Sequence, residues 1–275
     1  MYFCSEKILR TMNNDELLAL AIEASVAAGA DIMQIYNDPS QDFGIERKAD
    51  NSPLTLADKA AHKRIMSFLD KTDIPVLSEE GAHAPYESRS SWQRFWLVDP
   101  LDGTKEFIKK NGEFTVNVAL IEDGAPILGV VYLPAQDVLY YGSMDGGAFR
   151  RKDGVEEKLP LASAQHDDFV IVASRSHLSP ETQEYIDEVE KKYDKVRTIS
   201  SGSSIKICLV AEGTADAYPR FAPTMEWDTG AGDAVARAAG RQVLQAGTYD
   251  GLPYDDGQPL KYNKVDLHNP WFLVK

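Results

Sequence analysis

Between residues 95 and 150 the chain alternates short apolar runs with turn signals, and that alternation limits the possible fold more than any other feature. Phe95 to Val98, Phe114 to Ile121, Ile127 to Leu133, Val138 to Tyr141 and Ala148 to Arg150 are separated by Asp123-Gly124, Pro134 and Asp145-Gly146-Gly147. Runs of β-branched and aromatic residues punctuated in this way predict an antiparallel meander. Two helices are expected ahead of it. Asn13-Asn14-Asp15-Glu16 offers a cap and negative charge for a helix over 14–37, with Leu17, Leu18, Ala21, Ile22, Val26 and Ile32 at helical spacings. Asp38-Pro39-Ser40 breaks it, Asn51-Ser52-Pro53 turns the chain, and a second helix runs from Thr55 with Ala61, Ile65, Phe68 and Leu69 on one side. Pro75-Val76-Leu77 is a further short strand.

From about Leu161 the rhythm changes. Phe169 to Ala173, Val196 to Ile199 and Ala215 to Tyr218 read as strands, alternating with helices over Pro180 to Lys192, Ser204 to Glu212 and Asp228 to Ala239. The expectation is therefore an α+β half (1–160) joined to an α/β half (161–275). Glu156-Glu157-Lys158 marks the boundary and is no flexible linker, so the halves pack together. No internal repeat or low-complexity tract is visible.

Composition narrows the function. The formal charge is −14 with a pI near 4.8, which argues against a polynucleotide surface, because affinity for nucleic acid comes from cationic neutralisation of phosphates. A small anion can still enter a local basic pocket. Cys4 and Cys208 are too few for a disulfide framework and read as reduced thiols, which points to the cytoplasm. No uninterrupted apolar run approaches the length of a spanning helix, and Met1 to Arg10 lacks a secretory core. Peripheral contact at the inner membrane face and the oligomeric state stay open.

The chemistry concentrates in Trp96-Leu97-Val98-Asp99-Pro100-Leu101-Asp102-Gly103-Thr104-Lys105-Glu106-Phe107. Two carboxylates follow an apolar strand, with Pro100 excluding a regular helix between them, so both can converge on one point. Carboxylate and carbonyl oxygens suit hard cations such as Mg²⁺, and Asp99, Asp102 and the Leu101 carbonyl are of that type. The Gly103 and Thr104 amides open a turn that favours phosphate. Alone, Asp99-Pro100 and Asp102-Gly103 would be ordinary turn residues. Two more acidic segments shift the balance: Ser78-Glu79-Glu80-Gly81 after another apolar strand, and Glu226-Trp227-Asp228-Thr229-Gly230-Ala231-Gly232-Asp233 at a helix start. Singly, Glu79 and Glu80 read as a solvated face and Asp228 as a helix cap. Together the three segments make an oxygen-lined metal cluster the better account.

These segments resemble the lithium-sensitive, Mg²⁺-dependent phosphomonoesterase superfamily of inositol monophosphatase. Asp99-Pro100-Leu101-Asp102-Gly103-Thr104 is similar to its central motif and Trp227-Asp228-Thr229-Gly230-Ala231-Gly232 to its second, and Thr55-Leu56-Ala57-Asp58 and Leu77-Ser78-Glu79-Glu80 extend the likeness over nearly the whole chain. Leu56 stands where a Thr or Ser is often seen. Leu101 to Phe107, Ala173-Ser174-Arg175-Ser176-His177 and Tyr218-Pro219-Arg220-Phe221 resemble the branch of 3′(2′),5′-bisphosphate nucleotidases. The resemblance implies a layered α/β/α/β/α sandwich and two to three Mg²⁺ ions. Glu79, Asp99 and the Leu101 carbonyl would hold one ion, Asp99, Asp102 and Asp228 a second, and Glu79 with waters a third, supported by Glu80. It places Asp58 and Thr104 beside the attacking water, although from its sequence position alone Asp58 is a solvent-facing helix residue. Ser203, Lys206 and Arg220 would hold the phosphate that is not cleaved, with His177 and Asp228 against the nucleotide.

The resemblance implies hydrolysis of the 3′-phosphate of adenosine 3′,5′-bisphosphate, with its sulfated precursor as a further substrate and sulfur assimilation as the setting. An inositol monophosphatase is the nearest competitor, a fructose 1,6-bisphosphatase-like activity comes third, and a non-catalytic Mg²⁺ or nucleotide sensor is the alternative outside enzymology. A lysine such as Lys206 usually ends on a surface, yet Ile207, Cys208, Leu209 and Val210 after it predict a largely buried helix. His177 taken alone reads as a loop residue. His62, His83, His166 and His268 have no zinc-like spacing. Lys105, Lys109 and Lys110 offer either a positive mouth to the site or a solvated helix face.

Overall fold

In the computed structural model, which describes residues 12–40, 43–48, 53–174, 179–249 and 252–275, helix α1 (Asn14–Tyr36) starts where the sequence predicts. The Asn13 side chain accepts the Glu16 amide at 2.9 Å and the Glu16 carboxylate accepts the Asn13 amide at 2.9 Å, a reciprocal cap that satisfies two free donors of the helix start. Strands β1 (Glu46–Arg47) and β2 (Pro53–Leu54) pair antiparallel ahead of helix α2 (Leu56–Leu69). Strands β3 (Val76–Ser78), β4 (Arg94–Asp102), β5 (Thr115–Glu122), β6 (Ala125–Leu133), β7 (Val138–Ser143), β8 (Gly147–Lys152) and β9 (Val155–Lys158) then form one seven-stranded sheet in chain order. All its pairs are antiparallel except β3 with β4. Short helices α3 (Tyr86–Arg89) and α4 (Thr104–Ile108) stand before and after β4. The charged segment read as a half boundary is strand β9; it lies at the sheet edge, where exposed charges are compatible with a strand and discourage further pairing.

The two faces of this sheet bury different partners. Trp96, Val98, Val116 and Val118 pack with Leu17, Ala21, Ile32, Ala61 and Ile65 of α1 and α2. The alternate residues Phe95, Leu97, Ala119 and Ile121 belong to a second core, as the two-residue period of a strand requires. Each large side chain buried there contributes roughly 1.5–3 kcal/mol. Helix α1 contains an eighteen-residue window of mean hydropathy 1.5, long and apolar enough by composition to cross a membrane, which a search for uninterrupted apolar runs understates. Its Leu17, Ala21, Ala24, Ala28 and Ile32 are buried in the core shared with α2 and the sheet.

Beyond residue 160 come β10 (Phe169–Ser174), α5 (Pro180–Glu190), β11 (Val196–Ser201), α6 (Ile205–Glu212), β12 (Tyr218–Arg220), α7 (Glu226–Ala238), β13 (Val243–Tyr249), β14 (Leu252–Pro259) and β15 (Phe272–Val274). β10 and β11 are parallel, whereas β12, β15, β13 and β14 form an antiparallel sheet in that spatial order, linked to β10 by a lone parallel bridge between Ile171 and Ala217. The strand expected over Ala215 to Tyr218 therefore lies further on, at Tyr218 to Arg220. Helices α6 and α7 fill the second face of the large sheet, and α5 packs outside β10 with its Ile186 and Val189 against Ile171. The layers run helix, sheet, helix, sheet, helix. Helix α7 comes so close to β6 that a Cβ on Gly129 would sit 2.4 Å from the Ala231 carbonyl oxygen; glycine there lets α7 lie flat on the sheet.

Candidate active site

Strand β4 does not stop at Val98. It runs to Asp102 through a bulge, with Asp99 opposite Asn117 and Asp102 opposite Thr115 on β5. Three steps on β4 thus match two on β5. In a regular strand, residues three apart point to opposite faces; the extra residue in Pro100-Leu101 cancels that and brings both carboxylates to one side. The Leu101 amide donates to Asp99 Oδ1 at 3.0 Å and fixes the turn. Gly103 follows with φ 91°, and a Cβ on it would lie 3.0 Å from the Glu113 carbonyl oxygen, so a side chain is opposed by both backbone conformation and space.

Two other carboxylates reach the site from helix starts in the same manner. Asp58, in the first turn of α2, accepts the Thr55 amide at 2.7 Å and the Thr55 hydroxyl at 2.5 Å on Oδ2, leaving Oδ1 to accept the Thr104 hydroxyl at 3.2 Å. It is buried, not solvent-facing as its helix position suggested. Burial pushes its pKa up to about 6 against the opposing Thr55 bonds. The Thr104 hydroxyl also lies 3.4 Å from the Leu101 carbonyl. Asp228, in the first turn of α7, accepts the Met225 amide at 2.8 Å. It keeps an open edge toward the cavity while lying deep among protein atoms.

Asp99, Asp102 and Asp228 each present an oxygen such that all three lie within 4.8 Å of one another. Glu79 stands close enough for its charge to act on Asp99. Burial first, then repulsion from Glu79, Asp102 and Asp228, holds Asp99 well above the usual carboxylate range, and burial with repulsion from Asp102 does the same to Asp228. Burial likewise raises Glu79 despite Lys48. Among the described residues no lysine or arginine forms an ion pair with Asp99, Asp102 or Asp228. Such a concentration of like charge with oxygen donors only is the environment a hard divalent cation fits. Asn117, across the ladder from Asp99, keeps a buried carbonyl oxygen without a hydrogen-bond partner.

Behind this cluster, Lys48 Nζ bonds Glu79 Oε1 at 2.7 Å and also pairs with Glu80. Burial works against the Lys48 charge, yet the two carboxylates hold its ammonium above its ordinary range. Lys48 escaped the sequence reading because a lone lysine after a two-residue strand carries no pattern.

The second half closes the other side. Asp102 Oδ2 accepts the Ser203 hydroxyl at 2.7 Å and the Ser204 amide at 2.6 Å, with the Ser204 hydroxyl at 2.7 Å. Ser203 thus faces a carboxylate, besides lining a cavity of about 540 Å³ with Asp102, Ser204, Lys206, Arg220 and Asp228. Lys206 is buried, donates to the Ser203 carbonyl at 2.6 Å and stands 5.3 Å from the centre of the Tyr218 ring. Burial lowers it to about 8, offset in part by Asp102. Arg220 donates to the Pro223 carbonyl at 3.0 Å and has a buried Nε without a partner; it lines both this cavity and the adjoining one of about 370 Å³ that holds Glu79, Asp102, Thr104 and Asp228. The fold therefore brings Asp58, Glu79, Glu80, Asp99, Leu101, Asp102, Gly103, Thr104, Ser203, Lys206, Arg220 and Asp228 into one region, whereas His177 lies outside the described residues.

A layered sandwich with an acidic pocket between a bulged strand and a helix start defines a class, and comparison with known proteins agrees: the profile of the inositol monophosphatase family matches residues 13–268. The chain belongs to that family. Among its relatives, the 3′(2′),5′-bisphosphate nucleotidase CysQ of Escherichia coli K12 is 49% identical over 250 residues, covering 90% of this chain and 94% of that protein. The CysQ of Haemophilus influenzae is 32% identical over 95% of this chain and 93% of that one. The crystal structure of CysQ from Bacteroides thetaiotaomicron superposes with a TM-score of 0.84 at 52% identity, covering 94% of this chain and 96% of that chain.

Proposed function

We propose that this protein is a metal-dependent 3′(2′),5′-bisphosphate nucleotidase, the activity for which its CysQ relative of Escherichia coli is named, and that it converts adenosine 3′,5′-bisphosphate to AMP and phosphate. The observation that carries the substrate class is the buried Lys206, which with Arg220 lines a cavity that shares Asp102 and Asp228 with the acidic pocket. A buried cation beside a cavity suits a second, uncleaved phosphate; a polyol phosphate would leave it without an anionic partner, its Ser203 carbonyl contact being neutral.

Glu79, Asp99, the Leu101 carbonyl, Asp102 and Asp228 would hold two to three Mg²⁺ ions, with Glu80 and Lys48 behind them. Bound there, the ions supply Lewis-acid polarisation of the ester, a more acidic water and neutralisation of phosphate charge. Thr104 donates to Asp58 and so turns an oxygen lone pair toward the site. It takes a proton from the attacking water while its own passes to the Asp58 carboxylate. The bond between phosphorus and the 3′ oxygen breaks as the water oxygen bonds phosphorus; the leaving oxygen takes a proton from solvent, and the proton held by Asp58 returns to solvent, so one hydrogen of the water ends on the phosphate and the alcohol gains the other. Asp58 must be ionised for this, which its position near 6 allows at neutral pH. In this reading residues 1–160 form the metal-binding half and 161–275 the nucleotide-binding half, and the enzyme works in the cytoplasm.

Phosphate release from adenosine 3′,5′-bisphosphate, inositol 1-phosphate and fructose 1,6-bisphosphate, each with and without Mg²⁺ and Li⁺, tests the proposal. The bisphosphate nucleotide is expected to be the preferred substrate, with hydrolysis dependent on Mg²⁺ and suppressed by Li⁺. Lys206→Ala should raise KM for it by about 30-fold, the value of a lost charge-assisted hydrogen bond, and leave a simple monoester nearly unchanged. Preference for inositol 1-phosphate, or equal effects on both substrates, overturns the assignment.

A further inference from the structure

Ser204 occupies the N-cap position of α6 but makes no side-chain cap hydrogen bond. A serine there ordinarily turns its hydroxyl back onto an amide in the first turn. This hydroxyl instead lies 2.7 Å from Asp102 Oδ2 and 2.6 Å from the Asp228 carbonyl oxygen, and it accepts Asn117 Nδ2 at 2.9 Å. Its backbone amide donates to the same Asp102 oxygen at 2.6 Å. One buried side chain thus touches the carboxylate delivered by the β4 bulge, the first turn of the helix that delivers Asp228, and the β5 residue opposite Asp99.

We propose that Ser204 is a positioning residue of the cation site. The Asn117 amide occupies a lone pair of its oxygen, which leaves the hydroxyl proton to bridge Asp102 and the Asp228 backbone. Ser203 and Ser204 together saturate Asp102 Oδ2, so the remaining oxygen of that carboxylate is the one turned to the cation. Thr115, opposite Asp102, braces the arrangement through the Ser203 hydroxyl at 2.6 Å. Neighbours of this kind orient ligating carboxylates, and their removal typically weakens metal binding about 10- to 100-fold. The inference rests on the reading of Asp99, Asp102 and Asp228 as cation ligands, not on the identity of the nucleotide.

The test is Mn²⁺ binding by electron paramagnetic resonance to the full chain in the absence of any nucleotide. Ser204→Ala, which keeps the amide bond to Asp102, should raise the Kd about 10-fold, and Ser204→Thr, which keeps the hydroxyl, should stay within about threefold of the parent. The melting temperature of the metal-free protein is followed alongside. An unchanged Kd in a folded Ser204→Ala protein overturns the proposal, as does equal weakening by the alanine and threonine variants. Should Ser204→Ala not fold, Asn117→Ala removes the donor that orients the hydroxyl and is expected to weaken Mn²⁺ in the same direction; an unchanged Kd there overturns the proposal too. Because no nucleotide is present, failure of adenosine 3′,5′-bisphosphate as a substrate leaves this result standing, and the converse holds.

Discussion

Helix α7 carries buried carboxylates at both ends of its first two turns, and the two sets are treated in opposite ways. Asp233 is fully buried but accepts Arg237 Nε at 2.6 Å, Arg237 Nη2 at 2.9 Å and the Tyr262 hydroxyl at 2.8 Å. Glu226, equally buried, accepts the Asn263 amide at 2.6 Å and the Lys264 amide at 3.0 Å, and pairs with the Lys264 ammonium. Asp228 instead faces Asp99, Asp102 and Glu79, with the Met225 amide, the helix start and the more distant charge of Arg220 in its favour but no ion pair among the described residues. A buried charge that is paired within the chain is part of the scaffold; one surrounded by like charge is held there for something the chain does not itself contain.

The contrast is broken most severely by Asp99→Asn. Turnover should fall by about 10³-fold, as for loss of a principal electrostatic contact in a reacting centre, while the metal-free protein melts no lower, because the change removes repulsion. Near-normal metal-dependent turnover would show that Asp99 is not the shared ligand. Arg237→Ala should do the reverse. It strands Asp233, and a buried pair broken on one side costs roughly 3 kcal/mol, at the low end because Arg237 is partly exposed. Urea unfolding reads that loss, and kcat at saturating Mg²⁺ should stay close to the parent value.

The pH dependence of stability sharpens the same comparison on a smaller scale. Burial raises both Asp58 and Asp233 to about 6 in the folded protein, against about 3.9 for an unfolded aspartate. The folded state therefore binds extra protons between those limits, so the stability these groups contribute is present at low pH and is lost as pH rises through 6. The metal-free protein should be more stable at pH 5 than at pH 7.5 by on the order of 1 kcal/mol for each group. Mg²⁺ should raise the melting temperature more at pH 7.5 than at pH 5. A metal-free melting temperature that climbs steadily with pH would contradict the assigned burial effects.

Much of this was legible in the residues. The helices over 14–36, 56–69 and 226–238 and the meander of the large sheet follow from capping residues, periodicity and Asp-Gly turns. Asp99 and Asp102 could be read as neighbours, but not how they come to face one way: the bulge is a property of pairing with Thr115 and Asn117, and register is a nonlocal fact. Asp58 looked exposed because only tertiary packing buries the start of α2, although Thr55 and Asp58 stand at capping-box spacing. Strands β13 and β14 escape a sequence reading because Gln245, Asp255, Asp256 and Gln258 blur the alternation that marks a strand, and β15 because three residues are too few to show one. Lys48 and Ser204 act through contacts with distant segments, which no local pattern announces.

The bulge on β4 and the start of α7 lie far apart along the polypeptide, and each donates to one pocket. An ion held by both is a removable cross-link closing a long loop of chain, comparable in its effect on unfolded-state entropy to a disulfide formed between the same points. A chelator would then act as the reductant does on a disulfide, loosening the packing of helix on sheet without touching a covalent bond.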